Sequence, residues 1–406
     1  MSALPAAPLN QLSPAMGLAA PQDTVVPINS DTVWSLATST SMADRRAGMS
    51  RTRRPLLRAA VVDVWTNNFA YIGHRATGTA AGTFVLVGPD WAGAAPSDAT
   101  LIRCPTAVVT IVGRFAVEGE RDLPAVRALQ DGLRLNPSGV GAGLPEPDPR
   151  VGDALRFFEQ LRVWSQAFAP ADRDRIHQRR FEPLRLTATE TPYAEPEPAF
   201  AAALAEGLKA GREQLEAALK SGSSPKQNGW DLTYHVFDYN LDFFEIGALD
   251  EARWKLPDGP ARYVQRAAAA RGGLLGNHGY EAAYAMVYVD ADGEPLDGAR
   301  RYRLRFAESP PCGAFWSVTM YDAQDFFLVA NPIDRYSIGD RTPGLRFADD
   351  GSLTIALQAD EPRDPALRAN WLPTPAGAFR PILRMYEPHD AVFDGSYELP
   401  PITRVD

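Results

Sequence analysis

Three groups of residues in this chain have the types and spacing for acid–base, binding or metal chemistry. The densest is NPIDRYSIGDRTPG, which gathers Asn331, Asp334, Arg335, Tyr336, Asp340 and Arg341 in a stretch punctuated by Gly339, Pro343 and Gly344. A fixed loop with paired Asp and Arg can hold a carboxylate ready as a general base, or clamp an anionic substrate in a bidentate fork. The same residues serve equally well as a turn network that orders a long β connection. In YHVFDYNLDFFEIG, His235, Asp238, Asp242 and Glu245 are spaced three, four and three apart. On a helix that spacing stacks one imidazole and three carboxylates on one face, a donor set suited to Mn, Fe or Zn. The neighbouring Phe237, Tyr239, Phe243 and Phe244 read as β or as an aromatic loop just as well. Downstream, GNHGYEAAY adds His278 and Glu281, which can complete an acid–base pair or a metal site.

Near the start, Asn29, Asp31 and Thr32, with Asp63, Thr66 and Asn68, fall at strand ends. Such side chains usually close Asx-type turns, and they can also hold a ligand. The aromatics Trp34, Trp65, Phe69, Tyr71, Trp316, Tyr321 and Trp371 can floor a pocket for a sugar or apolar ring, or simply fill a core. With five histidines (His74, His177, His235, His278 and His389), a multi-histidine site needs most of them to converge. There is no GxSxG elbow, HExxH, CxxC pair, P-loop or GxGxxG between strand and helix. Standard serine-hydrolase, zincin and nucleotide-driven chemistry are therefore disfavoured.

Positioning any of these groups requires a core. The chain has 406 residues, 45% hydrophobic and 22% charged, which is enough for two or three packed domains. Net charge is -9, and the arginines Arg45, Arg46, Arg51, Arg53, Arg54 and Arg58 form the only dense basic stretch, so a nucleic-acid groove is not expected. No apolar run approaches the roughly 20 residues of a membrane helix, and no membrane partner is expected. The opening MSALPAAPLNQLSPAMGLAAP lacks the basic start and apolar centre of a signal peptide, so cytoplasm is the expected compartment. Cys104 and Cys312 do not make a disulfide framework.

To about residue 118 the chain alternates strand-like runs with turns, as in AYIGHRATGTAAGTFVLVGPDW and LIRCPTAVVTIVGRF. Helical patterns follow: LPAVRALQDGLRL behind Asp122, VGDALRFFEQLRVWSQAF, and PEPAFAAALAEGLKAGREQLEAALKSG with Leu204, Leu208, Leu215 and Leu219 on one side. From Tyr280 strands return, with a hairpin expected around Asp292–Gly293, then AFWSVTMYD, FFLVANPI, GSLTIALQ and FRPILRMYEP. Strands, helices and strands in separate runs predict a mainly-β protein with a helical insert.

NSDT, TNNFAYIG and the FVLVGPDW run resemble the N-terminal half of a bacterial two-domain family, and the second half resembles its partner through NGW, YVQRA, EAAYAMVYVDADGEPLDG, AFWSVTMYD, NPIDRYSIGDRTPGL, DGSLTI, NWLPTPAG and DGSYELPP. The halves are domains of unknown function 1254 and 1214. The resemblance implies two β-sandwich domains, the second jelly-roll-like, with a helical module between them, and it implies no reaction. It also implies a helix ahead of the first strand, which is not expected here because the chain starts too late to supply it.

Residues 37–60, ATSTSMADRRAGMSRTRRPLLRAA, depart from that family, which has strand, turn and strand at this point. Back-translation with GC-rich codons suggests a cause. Read from its third base, Ala37–Asp44 becomes Asp-Leu-Asp-Leu-Asp-Gly-Gly, and read from its second base, Arg54–Ala60 becomes Gly-Arg-Tyr-Tyr-Val-Leu. A run of small same-sign indels is the hypothesis, and a divergent basic surface loop is the alternative. Resequencing that stretch of the gene decides between them, since an unbroken read with unrelated codons removes the frameshift.

The expected organisation is an N-terminal β-sandwich at 1–118, a helical module at 119–225 and a jelly-roll-like domain at 226–406. The first functional expectation is an enzyme acting on a small organic molecule or sugar by hydrolase- or lyase-type acid–base chemistry. Asp340, His278 and Glu281 are its catalytic candidates, and Arg335, Arg341, Tyr336, Asn331, Trp316, Tyr321, Asp31 and Asn29 its substrate-binding ones. The alternative is a non-catalytic carbohydrate- or small-ligand-binding protein. No cofactor is predicted, a divalent metal at His235, Asp238, Asp242 and Glu245 is left open, and a homo-oligomer is compatible. Catalysis as described requires residues 337–341 and 277–281 to share one hollow.

Overall fold

In a computed structural model the described residues are 8–24, 27–40, 45–49, 57–94, 96–136, 143–221 and 224–405. The N-terminal half runs through β1 (Ser13–Pro14), β2 (Thr32–Ser39), β3 (Arg45–Met49), β4 (Leu57–Asp63) and β5 (Asn68–Gly73). It continues through α1 (His74–Thr77), β6 (Gly82–Val87), β7 (Thr100–Arg103), β8 (Val109–Ala116), α2 (Leu123–Gly132) and β9 (Arg134–Asn136). Two sheets result, a five-stranded one in the order β1-β2-β8-β4-β5 and a four-stranded one in the order β7-β6-β3-β9. Period-2 alternation in β4 explains their stacking. Ala59 and Val61 enter a core with Phe69, Ile72, Phe84, Leu86 and Ile102, whereas Ala60 and Val62 turn to the opposite face and meet Trp254 and Tyr280 of the C-terminal half.

Helices α3 (Arg156–Ala167), α4 (Asp172–Arg179) and α5 (Pro198–Ser221) follow, and α6 (Pro260–Gly273) packs against α5. Phe158, Tyr193 and Leu204 anchor α3 and α5 in a small core of their own. Glu159 lies within that helical region fully buried, held by Arg162 Nε at 2.8 Å and Thr191 Oγ1 at 2.8 Å, so its charge is paired as burial demands.

The C-terminal half comprises β10 (Lys226–Gln227), β11 (Trp230–Leu232), β12 (Ala282–Val287), β13 (Tyr302–Phe306), β14 (Cys312–Asp322), β15 (Ser337–Gly339) and β16 (Leu353–Gln358). After α7 (Pro365–Ala369) come β17 (Trp371–Pro373), β18 (Phe379–Pro388) and β19 (Ile402–Arg404). A six-stranded sheet in the order β10-β11-β12-β18-β14-β15 faces a four-stranded sheet in the order β17-β16-β13-β19. Ala283, Ala285, Trp316, Val318, Leu383 and Met385 from the first, with Tyr302, Leu304, Leu353 and Ile355 from the second, form the largest core. Each such aliphatic side chain contributes about 1.5–3 kcal/mol by leaving water. The opposite face of the six-stranded sheet meets the N-terminal half, where Ala116 packs on Phe315 and Tyr386.

The protein is therefore mainly β with interposed helices. Among the described residues no helix is long and apolar enough to cross a membrane. Two local expectations need correction, and one open alternative takes its loop form. Asp292–Gly293 does turn the chain, with Val289 bridging Pro295, but β12 and β13 on either side join different sheets and form no hairpin. Residues 235–245 are not helical, so His235, Asp238, Asp242 and Glu245 share no helix face. Asn240 is the cause: its Oδ1 accepts from Phe243 N–H at 3.1 Å while its Nδ2 donates to Asn68 O at 3.1 Å, fixing a loop against β5. The basic segment, expected to lack strand pattern, contains β3 and the start of β4, paired to β6 and β8. Residues 41–44 and 50–56, on which the frameshift reading also falls, lie outside the described residues.

Candidate functional site

Strand register dictates which side chains of the six-stranded sheet look toward the N-terminal half. Tyr284 on β12 pairs with Arg384 on β18, which pairs with Ser317 on β14, which pairs with Gly339 on β15. The adjacent row is Ala282–Tyr386–Phe315, and the next on the other side is Met286–Ile382–Thr319. This face is polar and aromatic where a sheet exposed to a core would be aliphatic. Gly339 is required at its edge, because a Cβ there would sit 2.0 Å from Trp316 O. The close approach brings the following Asp340 and Arg341 against β14.

The segment before β2 lies over this face. Asp31 is buried, and its Oδ1 accepts from Tyr386 OH at 2.9 Å and from Asn29, while its Oδ2 accepts from Ser317 Oγ at 2.5 Å. Asn29 Oδ1 in turn accepts from Trp34 Nε1 at 2.7 Å. Arg341 Nη2 donates to Asp31 O at 3.1 Å and its guanidinium lies 3.3 Å from the Phe315 ring centre. Arg384 Nη2 donates to Tyr321 OH at 2.8 Å and Pro27 O at 3.1 Å. From the opposing sheet, Arg114 on β8 donates to Asn277 Oδ1 at 3.2 Å and lies 4.5 Å from the Trp34 ring. Burial pushes the Arg114 and Arg341 guanidiniums below their ordinary range and pushes the Tyr386 hydroxyl up, with Asp31 adding to the latter shift.

A second polar cluster occupies the same junction. His278 is buried, and its Nδ1 lies 2.9 Å from Tyr71 OH and 3.2 Å from Tyr280 OH. Its backbone N–H donates to Tyr71 OH at 3.1 Å. Desolvation holds the imidazole below its usual pKa, so it is neutral near pH 7. Glu281, also buried, takes Arg58 on one oxygen and Arg75 on the other. Arg75 stacks 4.8 Å from the Tyr280 ring. Asp238 closes the cluster, accepting Gly279 N–H at 3.0 Å and facing His235 Nδ1 at 2.7 Å.

The candidates from the sequence are thus distributed over several places. Asn29, Asp31, Tyr321 and Arg341 converge on the outer face of the six-stranded sheet. Trp316 points the other way, into the core between the sheets. Asn331 Oδ1 accepts Arg335 N–H at 3.1 Å, Arg335 Nη1 donates to Trp371 O at 2.9 Å, and Tyr336 OH donates to Asp334 at 2.8 Å, so these three tie the loop to itself and its neighbours. Asp340 is exposed and accepts Trp316 N–H at 3.2 Å. Its interactions do not reach His278 or Glu281. The two stretches sit at the same junction through Asp31, Tyr386 and Ala282, but in separate clusters.

Of the metal candidates, Asp242 is held by Arg173 at 2.8 Å, and Glu245 donates its backbone N–H to Phe69 O at 2.8 Å while burial raises its carboxyl pKa. Among the described residues no three His, Cys, Asp or Glu side chains converge to hold an ion. Sequence reading passed over Arg114, Arg384, Tyr284, Tyr386 and Ser317. In FRPILRMYEP the alternate positions 380, 382, 384 and 386 read Arg, Ile, Arg, Tyr, and arginines on the same face of a buried strand were the available signal.

Comparison with known proteins places this geometry in context. Residues 9–137 match the model described as Protein of unknown function (DUF1254), and residues 281–390 match Protein of unknown function (DUF1214). No curated protein matches the chain. The fold is similar to the crystal structure of the VPA0106 protein from Vibrio parahaemolyticus, with a TM-score of 0.72 at 22% identity over 98% of this chain and 92% of that one. An uncharacterized protein from Burkholderia cenocepacia aligns over 96% of this chain and 80% of its own at 12% identity, with a TM-score of 0.47.

Proposed function

We propose, for a chain that belongs to the two-domain family joining an N-terminal DUF1254 to a C-terminal DUF1214, that it binds a small organic molecule where its two halves meet and does not transform it. The observation that carries this reading is that the proton-transfer groups at that junction are sealed from solvent by partners of their own. His278 and Glu281, the groups best suited to proton transfer, are each 1% exposed and already bonded to Tyr71, Tyr280, Arg58 and Arg75. A general base must reach the proton it removes, and these do not reach solvent. Asp31 likewise spends its lone pairs on Asn29, Tyr386 and Ser317. By contrast Trp34 and Tyr284 keep half-buried faces beside Arg114 and Arg384, the arrangement of a binding surface with few polar contacts and large aromatic walls.

The same reading takes both halves as β-sandwiches, the second jelly-roll-like, with residues 119–225 as the helical module between 1–118 and 226–406. The shared cores between paired sheets support it. A thermal-shift screen of small organic compounds tests the binding. The expected hit raises Tm in the wild type and loses its effect in Tyr284→Ala. Conversion of that hit into a product, followed by mass spectrometry, would overturn the non-catalytic reading.

A further inference from the structure

The guanidiniums at the junction are out of balance with the carboxylates around them. Arg114 and Arg384 are 4% and 3% exposed, and they come from opposite sheets, β8 and β18. Arg114 Nη1 donates to Asn277 Oδ1 at 3.2 Å, Asn277 Nδ2 donates to Tyr284 OH at 3.2 Å, and Tyr284 is the cross-strand neighbour of Arg384, so the two guanidiniums border one region. Asp31 is the carboxylate hydrogen-bonded into that region, and its oxygens already accept from Asn29, Tyr386 and Ser317. Arg384 Nη2 is committed to Tyr321 OH and Pro27 O, but no acceptor among the described residues reaches the buried Nη1. A buried guanidinium N–H without an acceptor is rare in folded proteins because its desolvation goes uncompensated. Tyr284 OH accepts from Asn277 Nδ2 at 3.2 Å, which leaves its own hydrogen to donate. Two fixed positive charges and two donors therefore lie in the region that also holds the half-buried Trp34 and Tyr284.

We propose that the region between Arg114 of the N-terminal half and Arg384 of the C-terminal half admits and binds a small carboxylate carried on a flat apolar body. It rests on the small-ligand reading above and names the ligand class. The carboxylate accepts from Arg384 Nη1 and Tyr284 OH, Arg114 supplies the second positive charge from across the junction, and the ring lies against Trp34 and Tyr284. Carboxylate is favoured over a bare inorganic oxyanion because half of the wall is aromatic. A neutral ligand would leave the Arg384 donor and the excess charge unanswered.

Isothermal titration of the full chain with benzoate, phenylacetate, cinnamate and octanoate, beside benzamide and sodium sulfate, tests it. At least one aromatic carboxylate is expected to bind, with benzamide weaker by about 100-fold, the factor expected from losing one buried charge pairing. Arg384→Met is expected to abolish carboxylate binding. Should that variant fail to fold by circular dichroism, Tyr284→Phe provides the check, weakening the carboxylate by roughly 5- to 10-fold through one lost hydrogen bond. Glu213→Gln on the exposed side of α5 leaves binding unchanged. Equal binding of benzoate and benzamide overturns the carboxylate assignment while the small-ligand reading stands. Sulfate binding as tightly as benzoate overturns the organic body. No binding by any carboxylate, together with no neutral hit in the thermal-shift screen, removes both proposals.

Discussion

The junction between the two halves holds two polar clusters built from similar parts and balanced differently. Around His278 and Glu281 the charges are matched: Glu281 takes Arg58 and Arg75, Arg58 also lies 3.7 Å from Glu387, and two tyrosine hydroxyls lie within 3.2 Å of His278 Nδ1. Around Arg384 they are not, since the guanidiniums of Arg114, Arg341 and Arg384 outnumber the one carboxylate, Asp31, that bonds there. Matched charges in a dry interface act as a structural clamp, because each desolvated charge faces an opposite one, although Arg58 Nη1 and Nη2 make no hydrogen bond of their own. Unmatched charges cost stability unless something else supplies the partner, so the second cluster is where a ligand repays its own desolvation. Similar residue types thus serve cohesion in one place and recognition in the other.

Breaking the matched cluster should have the largest effect. Glu281→Ala leaves Arg58 and Arg75 without their carboxylate, and Arg58 is already cross-strand from Arg114 in the β4–β8 pair. A loss of about 3–5 kcal/mol is expected, as for other buried pairs broken on one side, read as a lower urea midpoint with m unchanged. A loss below about 1 kcal/mol would show the clamp to be ornamental. Asp31→Ala comes next, at about 2–3 kcal/mol, because Tyr386 and Ser317 lose an acceptor inside the junction. It should weaken stability and also change carboxylate affinity, since the local positive excess grows. An effect on stability with affinity untouched would separate Asp31 from the binding region.

The comparison also explains what the sequence made legible. Strand-rich halves and the α3 and α5 helices follow from apolar periodicity, which depends on neighbours along the chain. Asn29 and Asp31 were visible as polar residues at a strand end. Their partners Tyr386 and Ser317 were not, because a contact across some 290 to 350 residues leaves no local trace. His278 and Glu281 stood out by type, yet only the packing of Tyr71 and Arg58 against them reveals that they are sealed. Residues 235–245 take the aromatic-loop alternative and not the helix that their spacing also allowed, because the side-chain bonds of Asn240 hold the chain against β5. Strand β3 was missed because Arg45 and Arg46 gave no alternation, and its pairing comes from β6 and β9.

A smaller effect sharpens the comparison through pH. Burial depresses the folded-state pKa of His278 below its ordinary value of 6.5. The unfolded chain then binds the proton more readily, so the contribution is complete above about 6.5 and is lost as pH falls toward the folded pKa. Asp63 acts with the opposite sign, since burial raises its carboxyl to about 6 and favours the folded state as pH drops through that value. The difference between wild type and His278→Gln isolates the first term. Wild-type stability relative to the variant should decline between pH 7 and pH 5, and a flat difference would mean that His278 is not held neutral.

The smallest expected effect is at Asp340, the residue that sequence alone favoured as a catalytic base. It is exposed at the β15 edge, and it accepts from backbone N–H groups, among them Trp316 N–H at 3.2 Å, which an amide oxygen can do equally well. Asp340→Asn should therefore change stability by no more than about 0.5 kcal/mol, and should leave carboxylate affinity within roughly twofold, because the Arg114–Arg384 region lies beyond its contacts. Loss of binding in this variant would move the recognition surface to the sheet edge. The unmatched charge would then have to be answered by Arg341, whose Nε is also without an acceptor, instead of by Arg384.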